Sequence, residues 1–252
     1  MRECEASGLP STADRRTIGF SEFARILKRT LAVVGTQLSP RMVHNLRVAC
    51  GYVAAGRWVA DRGFATSPLV SNRNEVFDSV LALVENEPVT YSEFGLYEGA
   101  SLRYWSQGLH HPDSQLHGFD SFEGLPENFD SRYGKGHFDV QGKLPVISDD
   151  RVTLHIGWFE DVLPSFQLPD SRRLVIALDA DLYSSTRFVL EHLSDSIVEG
   201  AIIYFDELSR IDHEPAAFDD FMASSGKRFR AIALESNFNT GAFVCLGRWV
   251  AP

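Results

Sequence analysis

The chain has 252 residues, enough for one α/β domain with a buried core and an additional helical segment. Hydrophobic residues make up 44% and charged residues 23%, as in ordinary globular proteins, and no apolar run approaches the roughly 20 residues of a membrane span. The formal net charge of -10 repels phosphate backbones and excludes general nucleic-acid binding, and the scattered Cys4, Cys50 and Cys245 form neither a disulfide framework nor a zinc pattern, which fits a reducing cytoplasm.

Residues 1–16 are polar, contain Pro10 and read as a disordered tail, not as a secretory signal. Residues 17–88 read as a helical extension. Phe20, Phe23, Ile26 and Leu27, then Val43, Leu46, Cys50 and Val53, recur at helical spacing, with Gly35 and Pro40 as breaks. A further helix is expected near Glu75–Val84. This region is expected to supply acceptor specificity and contacts in a homo-oligomer.

After Pro88 short apolar runs alternate with helical segments, marking a domain over residues 89–252. Strands are expected at Thr90–Phe94, Gln115–Phe119, Arg151–Ile156, Leu174–Leu178 and Ala201–Phe205, with two more at Phe229–Leu234 and Gly241–Leu246. Strand–helix alternation implies a parallel sheet with crossover helices. The connection Ser236–Thr240 is too short for a helix, so the last two strands should pair antiparallel. The result is a seven-stranded, mostly parallel sheet with an antiparallel last strand.

Chemistry is expected at the carboxyl ends of these strands, where open α/β sheets bind ligands. The first strand runs into Glu93-Phe-Gly-Leu-Tyr-Glu-Gly-Ala-Ser101. Gly95 and Gly99 fall where strand turns into helix, and their spacing suits an amino-acid moiety better than a pyrophosphate; a purely structural turn is the competing reading. The second strand ends at Asp120, placed either to accept both hydroxyl protons of a ribose or to cap a helix. The third leads into Gly157 and Trp158, beside an adenine or as part of the core.

The fourth strand ends in Leu178-Asp-Ala-Asp-Leu-Tyr-Ser-Ser-Thr186 and the fifth in Ile202-Ile-Tyr-Phe-Asp-Glu-Leu208. Adjacent strands would bring Asp179, Asp181, Asp206 and Glu207 together. Several close carboxylates repel one another, and a hard divalent cation resolves the repulsion; helix capping is the alternative for any single one. No histidine shows ligand spacing, although His137 lies in a glycine-rich loop, Pro126–Val146, that could close as a lid.

These stretches, with Phe119-Asp-Ser-Phe-Glu-Gly-Leu-Pro126 and Lys135-Gly-His-Phe138, resemble the macrocin O-methyltransferase family. The resemblance implies a class I methyltransferase, Rossmann-like α/β fold preceded by an N-terminal helical extension. It implies S-adenosylmethionine as donor, Mg²⁺ or another hard divalent cation, and a small-molecule acceptor methylated on a sugar hydroxyl; positions left open on such a cation lead to the expectation of a vicinal diol. Donor contacts are expected from Glu93, Gly95, Gly99, Ser101, Asp120, Ser121, Gly157, Trp158 and Asp179. The resemblance makes Asp179, Asp206 and Glu207 metal ligands and Asp181 the general base. One departure is Glu207, where the family has a second aspartate. A metal-dependent catechol-type methyltransferase, a non-catalytic binding protein of the same fold and a nicotinamide oxidoreductase are the competing readings.

Overall fold

The computed structural model describes residues 12–129, 132–169 and 172–248. The chain divides into two compact units, residues 1–49 and 50–252. The second unit therefore starts well before residue 89. Of the expected tail, residues 1–11 lie outside the described residues, while residues 12–16 open helix α1, Thr12–Gly35. Helix α2 follows at Pro40–Asp61. Neither these nor any other described helix is long and apolar enough to cross a membrane.

The second unit is built on an eight-stranded sheet, one strand more than expected. Its strands are β1 (Leu69–Val70), β2 (Val89–Phe94), β3 (Gln115–Asp120), β4 (Val152–Ile156), β5 (Arg173–Leu178), β6 (Ile202–Phe205), β7 (Lys227–Glu235) and β8 (Gly241–Arg248). The order is β1-β7-β8-β6-β5-β2-β3-β4. The additional strand is β1, which pairs in parallel with β7 through Leu69–Leu234 and Val70–Glu235. Two residues are too few to show alternation, so periodicity gave no sign of it. Strand β8 runs antiparallel to both of its neighbours, β6 and β7.

Both faces of the sheet are covered, as parallel sheets require. Along β5, Leu174, Ile176 and Leu178 enter one core, with Phe94, Phe119, Ile203, Phe205 and Phe243. Val175 and Ala177 enter the other, with Tyr91, Leu116 and Tyr204. The remaining helices are α3 (Arg73–Val84), α4 (Ala100–Gly108), α5 (Phe159–Val162), α6 (Tyr183–His192) and α7 (Glu214–Ser225). Helix α3 begins with a reciprocal cap: Asn72 accepts from the Glu75 N–H at 3.2 Å, and the Glu75 carboxylate accepts from the Ser71 N–H at 2.9 Å. That cap fixes Arg73 in the first turn.

Candidate functional site

The strand ends continue their hydrogen bonding one residue beyond the sheet. Gly157 N–H donates to Asp120 O, Gly95 to Phe119 O, Asp179 to Phe94 O and Asp206 to Leu178 O, each at 3.0 Å. Five neighbouring strand tips are thereby held in one row. They open onto a cavity of about 300 Å³ lined by Gly95, Leu96, Tyr97, Asp120, Ser121, Gly157, Trp158, Asp179, Asp181, Asp206 and Glu207, among others.

Of the expected donor contacts, Gly95, Asp120, Ser121, Gly157, Trp158 and Asp179 line this cavity, while Glu93, Gly99 and Ser101 do not. Gly95 is required by close approach: at φ 93° a Cβ there would lie 1.9 Å from the Asp179 carbonyl oxygen. Glu93 follows Tyr91 by two residues, so strand alternation sends both into the core behind the site. There the buried carboxylate accepts from the Tyr91 hydroxyl at 2.8 Å and from the Ser101 hydroxyl. Burial pushes its pKa up to about 7 against the lowering effect of those bonds.

Asp120 does not stand free for two ribose hydroxyls. Its Oδ2 accepts from the Leu96 and Tyr97 N–H groups at 2.7 and 3.0 Å, and its Oδ1 accepts from Phe122 N–H at 2.7 Å. A carboxylate offers about four acceptor sites, so three bonds leave room for one more. Asp120 is first a clasp that closes the glycine turn of β2 against the loop after β3.

The other wall of the cavity is acidic. Asp179 is pushed well above the usual carboxylate range by burial, then by the charges of Asp206 and Asp181. Asp181 sits on left-handed backbone, φ 60°, and its carboxyl is raised to about 7 by burial, then by Glu207 and Asp206. Two neighbouring cations partly offset this crowding. Arg73 reaches Asp206 Oδ1 at 3.4 Å, the oxygen that also receives the Tyr204 hydroxyl, and Arg210 lies 3.7 Å from Glu207.

Oxygen donors that repel one another match the chemistry of a hard divalent cation. The three expected ligands, Asp179, Asp206 and Glu207, share the cavity. Among the described residues, however, no three acidic, histidine or cysteine side chains are gathered closely enough to hold an ion.

Sequence reasoning missed Glu214. This residue opens α7 and is fully buried. One carboxylate oxygen accepts from Ala180 N–H at 3.3 Å and the other from Glu207 N–H at 3.0 Å. It thus ties the loop after β5 to the loop after β6. Desolvation pushes its pKa well up, against the Glu207 bond. Asn239, in the β7–β8 connection, braces the same region by donating to Asp206 O at 3.2 Å and accepting from Leu208 N–H at 2.6 Å.

The loop expected to act as a lid is tied back on itself beside the cavity, which its Pro126 and Phe138 line. Leu125 N–H donates to His137 O at 2.8 Å and Gly136 N–H to Leu125 O at 2.9 Å. Gly124 permits this crossing, since a Cβ there would meet the His137 carbonyl oxygen at 2.3 Å. The His137 ring packs edge-on against Phe138 and does not line the cavity.

A model of the macrocin O-methyltransferase family matches residues 71–230. The chain is also similar to a curated relative from Streptomyces olivaceus, 8-demethyl-8-(2,3-dimethoxy-alpha-L-rhamnosyl)-tetracenomycin-C 4'-O-methyltransferase. The two are 32% identical over 165 residues, which span 57% of this chain and 62% of the relative. The fold is similar to that of the calicheamicin methyltransferase CalS11, with a TM-score of 0.55 and 19% identity over 85% of this chain and 95% of that one. It is likewise similar to that of the O-methyltransferase NovP, with a TM-score of 0.53 and 20% identity over 69% and 78% of the two chains.

Proposed function

Because the chain belongs to the macrocin O-methyltransferase family, we propose that it transfers the methyl group of S-adenosylmethionine to a hydroxyl of a sugar carried by a glycosylated natural product. The observation that carries this reading is Asp181. Its carboxyl lines the same cavity as the Gly95 turn, on left-handed backbone beside the tips of β5 and β6, where it can take the proton of an acceptor hydroxyl.

The parts divide the work. The Gly95 turn, Trp158 and the one remaining acceptor site on Asp120 hold the donor, so that Asp120 takes a single ribose hydroxyl. The acceptor oxygen attacks the methyl carbon, the carbon–sulfur bond breaks with its electron pair going to sulfur, and S-adenosylhomocysteine leaves. The hydroxyl proton passes to Asp181. Holding oxygen and methyl in line supplies about 7–11 kcal/mol in favourable cases.

Asp179, Asp206 and Glu207 would hold Mg²⁺ by drawing closer together than they stand here. When bound, the ion neutralises this wall and acidifies a coordinated hydroxyl. A cation held by these residues would favour an acceptor that offers two adjacent oxygens, a vicinal diol.

The test follows S-adenosylhomocysteine formation from S-adenosylmethionine with methyl glycosides bearing a vicinal diol, and with their monodeoxy analogues. Product is expected with the diols and Mg²⁺, and loss of activity with EDTA that Mg²⁺ restores. An undiminished rate in metal-free protein removes the metal from the reading. Equal rates for the monodeoxy analogues remove chelation, and no product with any sugar refutes the acceptor class.

A further inference from the structure

At the mouth of the cavity stand two half-exposed aromatic side chains, Tyr97 at 49% and Phe138 at 39%. Both line the cavity that holds Asp179 and Asp181. Their rings meet edge to face, with centroids 5.7 Å apart and planes at 72°. Both occupy left-handed backbone, φ 49° and 69°. Bulky residues rarely adopt that region, and where they do they cluster at ligand clamps and active sites.

The surrounding structure holds both in place. Tyr97 N–H is bound by the Asp120 carboxylate at 3.0 Å. On the other side, Gly136–Asp139 is fixed by the bonds of Leu125 and Gly136 across the lid, and by Asp139 N–H to Gly136 O at 3.2 Å. Behind Phe138, Tyr133 stacks at 5.8 Å and 26°. The two rings are therefore preset, each partly exposed where it lines the cavity.

We infer that Tyr97 and Phe138 form an aromatic rim that binds the apolar, planar aglycone to which the acceptor sugar is attached. This rests on the sugar methyltransferase reading above. The sugar hydroxyls are drawn inward to the carboxylates. A cavity of about 300 Å³ is at the small end for ligand sites, and donor and sugar share it. Whatever the sugar carries must leave through the mouth, where these two half-exposed rings stand. Stacking on those faces selects acceptors by aglycone rather than by sugar.

The experiment compares kcat/KM for p-nitrophenyl and methyl α-L-rhamnopyranoside in the full-length protein and in the variants Tyr97→Asn, Tyr97→Phe and Phe138→Asn. Asparagine removes the ring yet tolerates left-handed backbone, and phenylalanine keeps the ring. The quantity read is the aryl-to-methyl ratio, from which a general loss of activity cancels. The wild type is expected to favour the aryl glycoside by about 3- to 10-fold, as one or two aromatic contacts supply. The preference should fall toward unity in both asparagine variants and survive in Tyr97→Phe. A ratio unchanged in Tyr97→Asn and Phe138→Asn overturns the rim. Rhamnose is the sugar in the tetracenomycin relative's name, and turnover of neither glycoside by the wild type speaks against that choice of sugar, not the rim. Equilibrium binding of the two glycosides to the S-adenosylhomocysteine-saturated protein then decides: an aryl preference lost in Tyr97→Asn supports the rim, and its absence from the wild type overturns it.

Discussion

The two walls of the cavity are stabilised in opposite ways. On the β2–β3 side the one carboxylate, Asp120, is satisfied by three main-chain N–H groups. On the β5–β6 side Asp179 and Asp181 are crowded by each other, Asp206, Glu207 and Glu214, and their carboxyls are raised. The first wall is at rest, and ligand binding need only add to it. The second stores repulsion that a proton or a cation relieves. A site of this kind can hold a donor passively on one side while drawing a proton off an acceptor on the other.

The sharpest way to break the contrast is Asp181→Asn. The amide cannot take a proton, so single-turnover methyl transfer should fall by about 10²–10⁴-fold. Donor affinity, set by the other wall, should stay constant in titration calorimetry. A shift of the Mg²⁺ midpoint as large as that of Asp179→Asn would make Asp181 a ligand and move the base elsewhere.

Asp120→Ala tests the resting wall. Three charge-assisted bonds are lost, each worth about 1.5–3 kcal/mol before allowance for partial exposure, so both thermal stability and donor affinity should drop. Weaker donor binding at unchanged melting temperature would mean that ribose contact is its whole role. If neither changes, Asp120 is no clasp.

The smallest effect concerns Glu93, buried behind both walls. Its folded pKa of about 7 exceeds the ordinary 4.5. Below 4.5 both folded and unfolded chains are protonated there, and the contribution to stability is fully present. As pH rises from 4.5 through 7 the unfolded chain releases its proton first and stability falls. Glu93→Gln, a permanent mimic of the acid, should match the wild type near pH 4. At pH 8 it should exceed it by about 3 kcal/mol in denaturant unfolding. Parallel pH profiles for the two proteins would place the titration elsewhere.

Much of this was legible in the sequence because it is local. The Gly95 turn, Asp120 at a strand tip and the two acid pairs are each read from a few consecutive residues, and adjacency of β5 and β6 follows from topology. What stayed hidden depends on contacts between distant segments. Glu214 looks like an ordinary acid in the first turn of a helix; only folding shows that its two oxygens reach two separate loops. Arg73 lies far upstream of Asp206, and no pattern links them. Glu93 belongs with these: alternation pairs it with Tyr91 but does not say which face of a fully buried strand meets the cavity, and only the fold shows its carboxylate bonded to Tyr91 and Ser101.

The position of β8 has a consequence for how the chain is made. It lies between β6 and β7, yet Gly241–Arg248 leaves the ribosome after the other seven strands of this sheet. Until then the edge of β6, with its buried Ile202–Phe205, is open to any passing strand. Strand β1 must also wait, because Leu69 pairs only with Leu234. Such distant pairings form late, while exposed edges invite association between nascent chains. Asn239, which braces the backbone of Asp206, arrives with the same hairpin. A nascent chain is thus prone to stick to others for as long as its acidic wall is unbraced, and the last hairpin ends both conditions in one step.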